Sequence, residues 1–120
     1  QIHIYDTLSN DARWPERYRR LFREIGRLAR EGADAVTAGE LESLGDLMNL
    51  NQGLLGALQL SSDRIDAMAR ELRSMGALGA KLTGAGGDGG AVIGLFEDAA
   101  GAVRTLSKNG INCFASRLAG

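Results

Sequence analysis

The segment Lys81–Gly90, which reads Lys-Leu-Thr-Gly-Ala-Gly-Gly-Asp-Gly-Gly, carries the residue types most suited to binding an anion. Five of the seven residues from Gly84 to Gly90 are glycine. Glycine allows positive φ and lets backbone N–H groups converge on an anion without interference from side chains, as around the phosphates of a triphosphate. The alternative is a flexible hairpin turn, although five glycines exceed what a tight hairpin needs. Both interpretations stay open from the residues alone.

Two familiar phosphate-binding motifs do not fit this segment. The stretch from Gly84 to Gly89 satisfies the G-x-G-x-x-G pattern, but the dinucleotide fingerprint needs a helix directly after the glycines, and here the sequence predicts a strand. A P-loop ends in Gly-Lys-Ser/Thr, whereas this segment ends in Gly89-Gly90-Ala91.

A second group of candidate residues consists of three side-chain amides, Asn49, Asn51 and Gln52, within one predicted helix. Asn49 and Gln52 are three residues apart and share a helix face, while Asn51 lies to one side. They are suited to binding an acceptor molecule or the glycine segment. The alternative is that they are ordinary amides on a helix surface.

Arginines crowd the first predicted helix: Arg13, Arg17, Arg19, Arg20, Arg23, Arg27 and Arg30. A nucleic-acid surface requires clustered, unpaired positive charge. Acidic residues stand at helical spacing from several of these arginines, as in Arg20–Glu24, Glu24–Arg27 and Arg27–Glu31. We therefore expect a self-neutralised, solvated helix face and no nucleic-acid partner.

Apolar spacing, caps and glycines predict the elements that position these residues. The predicted helices run from Glu16 to about Thr37 with Gly39 as the stop, from Leu41 to Leu58, from a cap at Ser61 or Ser62 to Gly76, and from a cap at Asp98 to Asn109-Gly110. The predicted strands are Gln1–Tyr5, Leu78–Thr83, Ala91–Phe96 and Ile111–Leu118. This order predicts one α+β domain over residues 1–120, a ferredoxin-like (split βαβ) antiparallel sheet with helices on one face.

Composition excludes several classes of protein and site. The chain has 120 residues, a net charge of −1, one His and one Cys, which is too few ligands for a conventional zinc site and allows no internal disulfide framework. No apolar run approaches the ~20 residues of a membrane helix. The sequence has no basic-plus-apolar leader, so we expect no signal peptide. The single cysteine favours a reducing compartment, so we expect a cytoplasmic location. Because the sequence begins with Gln1 and not with Met, we expect a piece of a longer polypeptide.

The stretch from Lys81 to Gly90, which ends in the glycine segment Gly84–Gly90, resembles the third conserved motif of the GHMP small-molecule kinases. The stretch Gly45–Leu55, followed by Leu60-Ser61, is similar to the Met-Asn-x-Asn-x-x-Leu-Leu helix and short Ser turn of the mevalonate kinase branch. Asp6-Thr7 is similar to an Asp-Thr-Gly there, with Leu8 in place of glycine. The resemblance covers nearly the whole chain.

The resemblance implies the C-terminal domain of an ATP-dependent kinase that phosphorylates a small-molecule hydroxyl, with mevalonate favoured over galactose, homoserine or phosphomevalonate. It implies that an absent N-terminal domain supplies the Pro-x-x-x-Gly-Leu-Gly-Ser-Ser loop, the residues that bind magnesium and those near the acceptor hydroxyl. No catalytic or metal-binding residue is therefore expected in this chain, and we expect it to be inactive alone.

The residues carried over from the family motif lie in two groups. The implied nucleotide-binding residues are Gly84, Ala85, Gly86, Gly87 and Asp88, and the implied substrate-binding residues are Asn49, Asn51 and Gln52. Asp88 departs from the family, which has glycine there. A carboxylate beside a triphosphate is repulsive unless a cation intervenes, so either Asp88 points to solvent or nucleotide binding is weakened.

A second function from another class stays open at this point. The chain is alternatively a stand-alone ferredoxin-like module for ligand binding or oligomerisation, without kinase activity, and Asp88 favours this reading. A homodimer through an uncovered sheet face or edge also fits a domain without its partner.

Overall fold

The computed structural model of the chain describes residues 15–83 and 90–117. Within them the chain forms four helices and two strands in the order α1-α2-α3-β1-β2-α4. Their bounds are α1 Pro15–Ala38, α2 Leu41–Ala57, α3 Asp63–Ser74, β1 Gly79–Thr83, β2 Ala91–Leu95 and α4 Ala99–Lys108. The α+β class and the four predicted helices are confirmed.

Short-range signals in the sequence account for the helix ends. Gly39, with φ of 71°, separates α1 from α2. The Ser62 hydroxyl accepts a hydrogen bond from the Ile65 amide at 3.2 Å and begins α3. The Asp98 carboxylate accepts from the Gly101 amide at 3.0 Å and begins α4. Each cap pairs an N–H group that the first turn of a helix leaves without a partner.

The two strands form an antiparallel pair with Ala80 opposite Gly94 and Leu82 opposite Val92. Side chains alternate across a strand, so Ala80 and Leu82 point to the same face, and both are buried. Ala80 belongs to the main core cluster together with residues of α3 and α4, namely Ala69, Leu72 and Leu106. These two helices cover one face of the sheet, as the fold class predicts.

Helix α2 packs against the edge of β1 that β2 leaves unpaired. The two backbones meet at Gly45 and Gly79: a Cβ atom on Gly45 would overlap the carbonyl oxygen of Leu78, and one on Gly79 would overlap the carbonyl oxygen of Gly45. Glycine is required at both positions because any side chain would push the helix away from the strand.

The strand predicted at Ile111–Leu118 is wrong over its described residues, since 111–117 contain no strand. The Ile111 amide instead donates to the Leu106 carbonyl at 3.0 Å, which ties the segment to the last turn of α4. Ile111 and Cys113 pack against the core cluster, so their alternation reflects core packing without sheet pairing. The strand predicted at Gln1–Tyr5 lies outside the described residues.

The close contact between α2 and β1 predicts opposite effects for two alanine substitutions on α2. Gly45→Ala should lower the free energy of unfolding by about 2 kcal/mol, because overpacking forces the backbones apart. Gly53→Ala is the matched control: nothing lies within 4 Å of its added Cβ, so it should raise stability by up to about 1 kcal/mol through helix propensity. Urea unfolding of both variants measures this difference, and equal effects would contradict the contact.

Candidate functional site

Two of the predicted site amides face the edge of β1. Gly45, Asn49 and Gln52 lie at positions i, i+4 and i+7 of α2 and therefore share one helix face. The Asn49 side chain accepts from the Ala80 amide at 3.0 Å and donates to the Leu78 carbonyl at 3.3 Å. Asn49 thus bonds to β1 as a neighbouring strand would.

Gln52 repeats this arrangement one helical turn later and adds a polar cluster. Its Oε1 accepts from the Leu82 amide at 2.7 Å. Its Nε2 donates to Ser61 Oγ at 2.9 Å and to Asp66 Oδ1 at 2.8 Å, and the Ser61 hydroxyl donates to the same Asp66 oxygen at 2.8 Å. Gln52 and Ser61 are buried.

Sequence reasoning missed Asp66 and gave Ser61 only as a candidate cap or part of a turn. The signal for Ser61 was its place directly after α2, in the turn that the family resemblance includes. Nothing in the sequence pattern singled out Asp66, because an acidic residue in the first turn of a helix is common on electrostatic grounds alone.

Asn51 lies apart from this cluster on the same helix. It is 7% exposed, and its Oδ1 has no hydrogen-bond partner among the described residues. The structure therefore separates the three predicted substrate-binding amides into two that hold β1 and one whose buried acceptor has no partner in the described part of the chain. A role in substrate binding stays a prediction for Asn49, Asn51 and Gln52.

The predicted nucleotide-binding residues Gly84, Ala85, Gly86, Gly87 and Asp88 lie outside the described residues. Their contribution to a site stays a prediction. The flanking residues are described: Thr83 ends β1 opposite Ala91, which begins β2. The glycine segment thus joins two hydrogen-bonded strands, and Leu82, which Gln52 holds, lies just before it.

Lys81 lies on the sheet face opposite the core, across from the half-exposed Ile93 of β2. The side chain is partly buried, and this desolvation lowers the pKa of Lys81 below its ordinary value of 10.5. The open sheet face therefore carries a lysine whose charged form is disfavoured by its surroundings.

A groove of about 500 Å³ separates α2 from α3. It is lined by Asn49, Gln52, Gly53, Gly56, Asp66, Arg70 and Arg73. Hydrogen bonds within the protein already engage the side-chain amides of Asn49 and Gln52 and one carboxylate oxygen of Asp66. The two arginines supply the positive charge of its rim.

The arginine-rich face of α1 is partly neutralised by its own carboxylates. Glu24 pairs with Arg27 at 2.8 Å and Glu31 with Arg27 at 3.9 Å, which confirms two of the predicted pairs. The predicted Arg20–Glu24 pair is not found within the described part of the chain, because Glu24 hydrogen-bonds to Arg27 instead. A further pair joins Arg19 to Glu16 at 2.9 Å. The hydrogen bond from Arg27 to Glu24 raises the pKa of Arg27.

Within residues 15–83 and 90–117, no group of three or more His, Cys, Asp or Glu side chains is placed to hold a metal ion. No helix in these ranges is long and apolar enough to cross a membrane.

The model of the family described as "GHMP kinases C terminal" matches residues 18–113. The chain belongs to this family. The GHMP kinase C-terminal domain is 50% identical over 78 residues to a mevalonate kinase of Aeropyrum pernix, covering 65% of this chain and 24% of that protein. It is 41% identical over 86 residues to a mevalonate kinase of Methanothermobacter thermautotrophicus, covering 65% of this chain and 28% of that protein. The chain thus spans about a quarter of the length of these relatives.

A solved structure agrees with this assignment. The GHMP kinase C-terminal domain superposes on the mevalonate kinase of L. major, crystallised with R-mevalonate, with a TM-score of 0.76 and 30% identity. The match covers 88% of this chain and 33% of that one. The fold predicted from the family resemblance is confirmed.

The different environments of Asn49 and Asn51 predict different outcomes for the same substitution. Asn49→Leu should lower the free energy of unfolding by about 2 kcal/mol, because it leaves the Ala80 amide and the Leu78 carbonyl without partners. Asn51→Leu should raise it by about 1 kcal/mol, because it removes a buried acceptor that has no donor within residues 15–83 and 90–117. Chemical denaturation of both variants compares them directly, and an equal loss of stability would show that Asn51 is also engaged.

The burial of Lys81 predicts a pH dependence of stability. Because its folded pKa is lowered, the folded state carries a desolvation penalty at neutral pH that is relieved as pH rises through the lowered pKa toward 10.5. Lys81→Met should therefore melt at a higher temperature than the unsubstituted chain at pH 7, and the difference should shrink toward pH 10.5. Thermal melts across this range test the sign, with Lys108→Met at the exposed end of α4 as the control for loss of positive charge.

Proposed function

We propose that this chain is the C-terminal domain of a mevalonate kinase, which transfers the γ-phosphoryl group of ATP to the primary hydroxyl of mevalonate. The observation that carries the proposal is the 50% identity to the A. pernix mevalonate kinase over 78 residues. The likeness to the L. major mevalonate kinase, whose structure contains R-mevalonate, supports the same acceptor.

In this proposal the chain contributes positioning and no catalytic group. Phosphoryl transfer depends mainly on alignment and on stabilising charge around the transferred group. The glycine segment lies beside the nucleotide phosphates, and α2 fixes the strand that leads into it. ATP and magnesium are held mainly by an N-terminal domain, and magnesium supplies charge neutralisation when bound.

Two further features belong to this proposal. A cytoplasmic location is supported by the single cysteine, which suits a reducing compartment. A homodimer would use the open sheet face around Ile93, which is 49% exposed.

The decisive experiment compares the complete polypeptide encoded by the gene with the 120-residue chain. Intact mass and N-terminal sequencing define the natural polypeptide, and a coupled assay follows ADP formation. We expect mevalonate-dependent turnover from the complete polypeptide and none from the chain alone. Absence of turnover with mevalonate, galactose, homoserine and phosphomevalonate would overturn the proposal and favour a stand-alone binding module.

Asp88 offers a sharper test within the active polypeptide. If the Asp88 carboxylate lies near the triphosphate, Asp88→Gly should lower the KM for ATP by about tenfold and leave the KM for mevalonate unchanged, because one repulsion is removed. The control Asp63→Asn removes the same charge from exposed α3. An unchanged KM for ATP would show that Asp88 points away from the phosphates.

A further inference from the structure

The polar cluster of Gln52, Ser61 and Asp66 connects α3 to the strand that enters the glycine segment. One end of the Gln52 amide accepts from the Leu82 amide at 2.7 Å. The other end donates to Ser61 and Asp66 at 2.9 Å and 2.8 Å. A chain of hydrogen bonds therefore runs from the first turn of α3, through α2, to the last residues of β1.

The orientation of the Gln52 amide decides whether this chain of hydrogen bonds holds. Its oxygen and nitrogen have nearly the same shape, so the side chain fits in either of two orientations that exchange an acceptor for a donor. Only one orientation presents an acceptor to the Leu82 N–H group. In the flipped orientation the Gln52 NH₂ group would face the Leu82 N–H group, and neither donor would have an acceptor. The stability lost would be comparable to that of one buried hydrogen bond.

Asp66 is the member of the cluster that selects the correct orientation. The Ser61 hydroxyl either donates or accepts, so it would pair with either end of the amide. An ionised carboxylate only accepts, so Asp66 pairs with the NH₂ end alone. Its hydrogen bonds are charge-assisted, and an anionic side chain in the first turn of α3 interacts favourably with the helix dipole.

We propose that Asp66 is a positioning residue for the nucleotide site: it fixes the Gln52 amide, which holds Leu82 and thereby sets where the glycine segment begins. The effect of Asp66 on nucleotide binding rests on the proposed function. Its effect on the position of Leu82 rests on the hydrogen bonds alone. The predicted nucleotide-binding residues begin at Gly84, two residues after Leu82. Movement of the Leu82 backbone would therefore also displace the segment that is expected to contact the phosphates.

The first test measures amide hydrogen exchange by NMR in the complete polypeptide. Asp66→Ala should accelerate exchange at Leu82 by about tenfold, the effect of losing one net hydrogen bond, while Ala80, which Asn49 holds, should change by less than about twofold. Asp66→Asn can turn either an oxygen or an NH₂ group toward Gln52, so it selects neither orientation and should also accelerate exchange at Leu82. Asp63→Ala, in the same helix turn and exposed, is the control and should leave Leu82 unchanged.

The exchange data decide the structural half of the proposal. Equal acceleration at Leu82 and Ala80 would show that Asp66 contributes only to general stability and would overturn it. An unchanged rate at Leu82 would also overturn it.

The second test uses steady-state kinetics of the complete polypeptide. Asp66→Ala should raise the KM for ATP by about fivefold with less than a twofold change in the KM for mevalonate. Asp66→Asn, whose amide both donates and accepts, should shift the KM for ATP in the same direction. Equal increases in both KM values, or none, would overturn the link to the nucleotide site. If the unsubstituted polypeptide has no kinase activity, the proposed function fails, whereas the exchange rate at Leu82 still decides whether Asp66 fixes the strand.

Discussion

The packing of α2 along the free edge of β1 is the constraint on which the rest of this structure depends. Gly45 and Gly79 let the two backbones touch, and only at that separation do the short amides of Asn49 and Gln52 reach the strand. An unpaired strand edge leaves N–H and C=O groups without partners, which is costly where water is excluded. Here a helix supplies the partners that another strand would ordinarily provide.

This contact orders the remaining elements around the end of β1. Leu82 is bonded by Gln52 from the edge, lies opposite Val92 of β2 and buries its side chain. The same glutamine is tied through Ser61 and Asp66 to the start of α3, which covers the sheet. The end of β1 is therefore held from three directions immediately before the glycine segment. Accurate placement matters there, because backbone N–H groups that bind a ligand must be held in position by the residues around them.

The sequence predicts the helices well and the role of the site amides poorly, for one physical reason. Helix ends depend on local signals such as the Ser62 cap and Gly39, which are readable from a few neighbouring residues. Asn49 and Gln52 bond to groups 29 to 31 residues away, so no local pattern distinguishes them from surface amides. The wrong final strand has the same origin, since alternation at Ile111 and Cys113 also arises when a coil packs on the core. The family resemblance identified the glycine segment but did not indicate which residues hold the strand that precedes it.

The α2 side chains that bond to β1 also determine at which edge the sheet can add a strand. The backbone N–H groups of Ala80 and Leu82 at the edge next to α2 are already bonded to Asn49 and Gln52. Another strand therefore cannot pair with these groups along this edge. Any additional strand, from elsewhere in the polypeptide or from a second molecule, has to join along β2. The helix thus acts as a terminator of the sheet and gives it a single direction of extension.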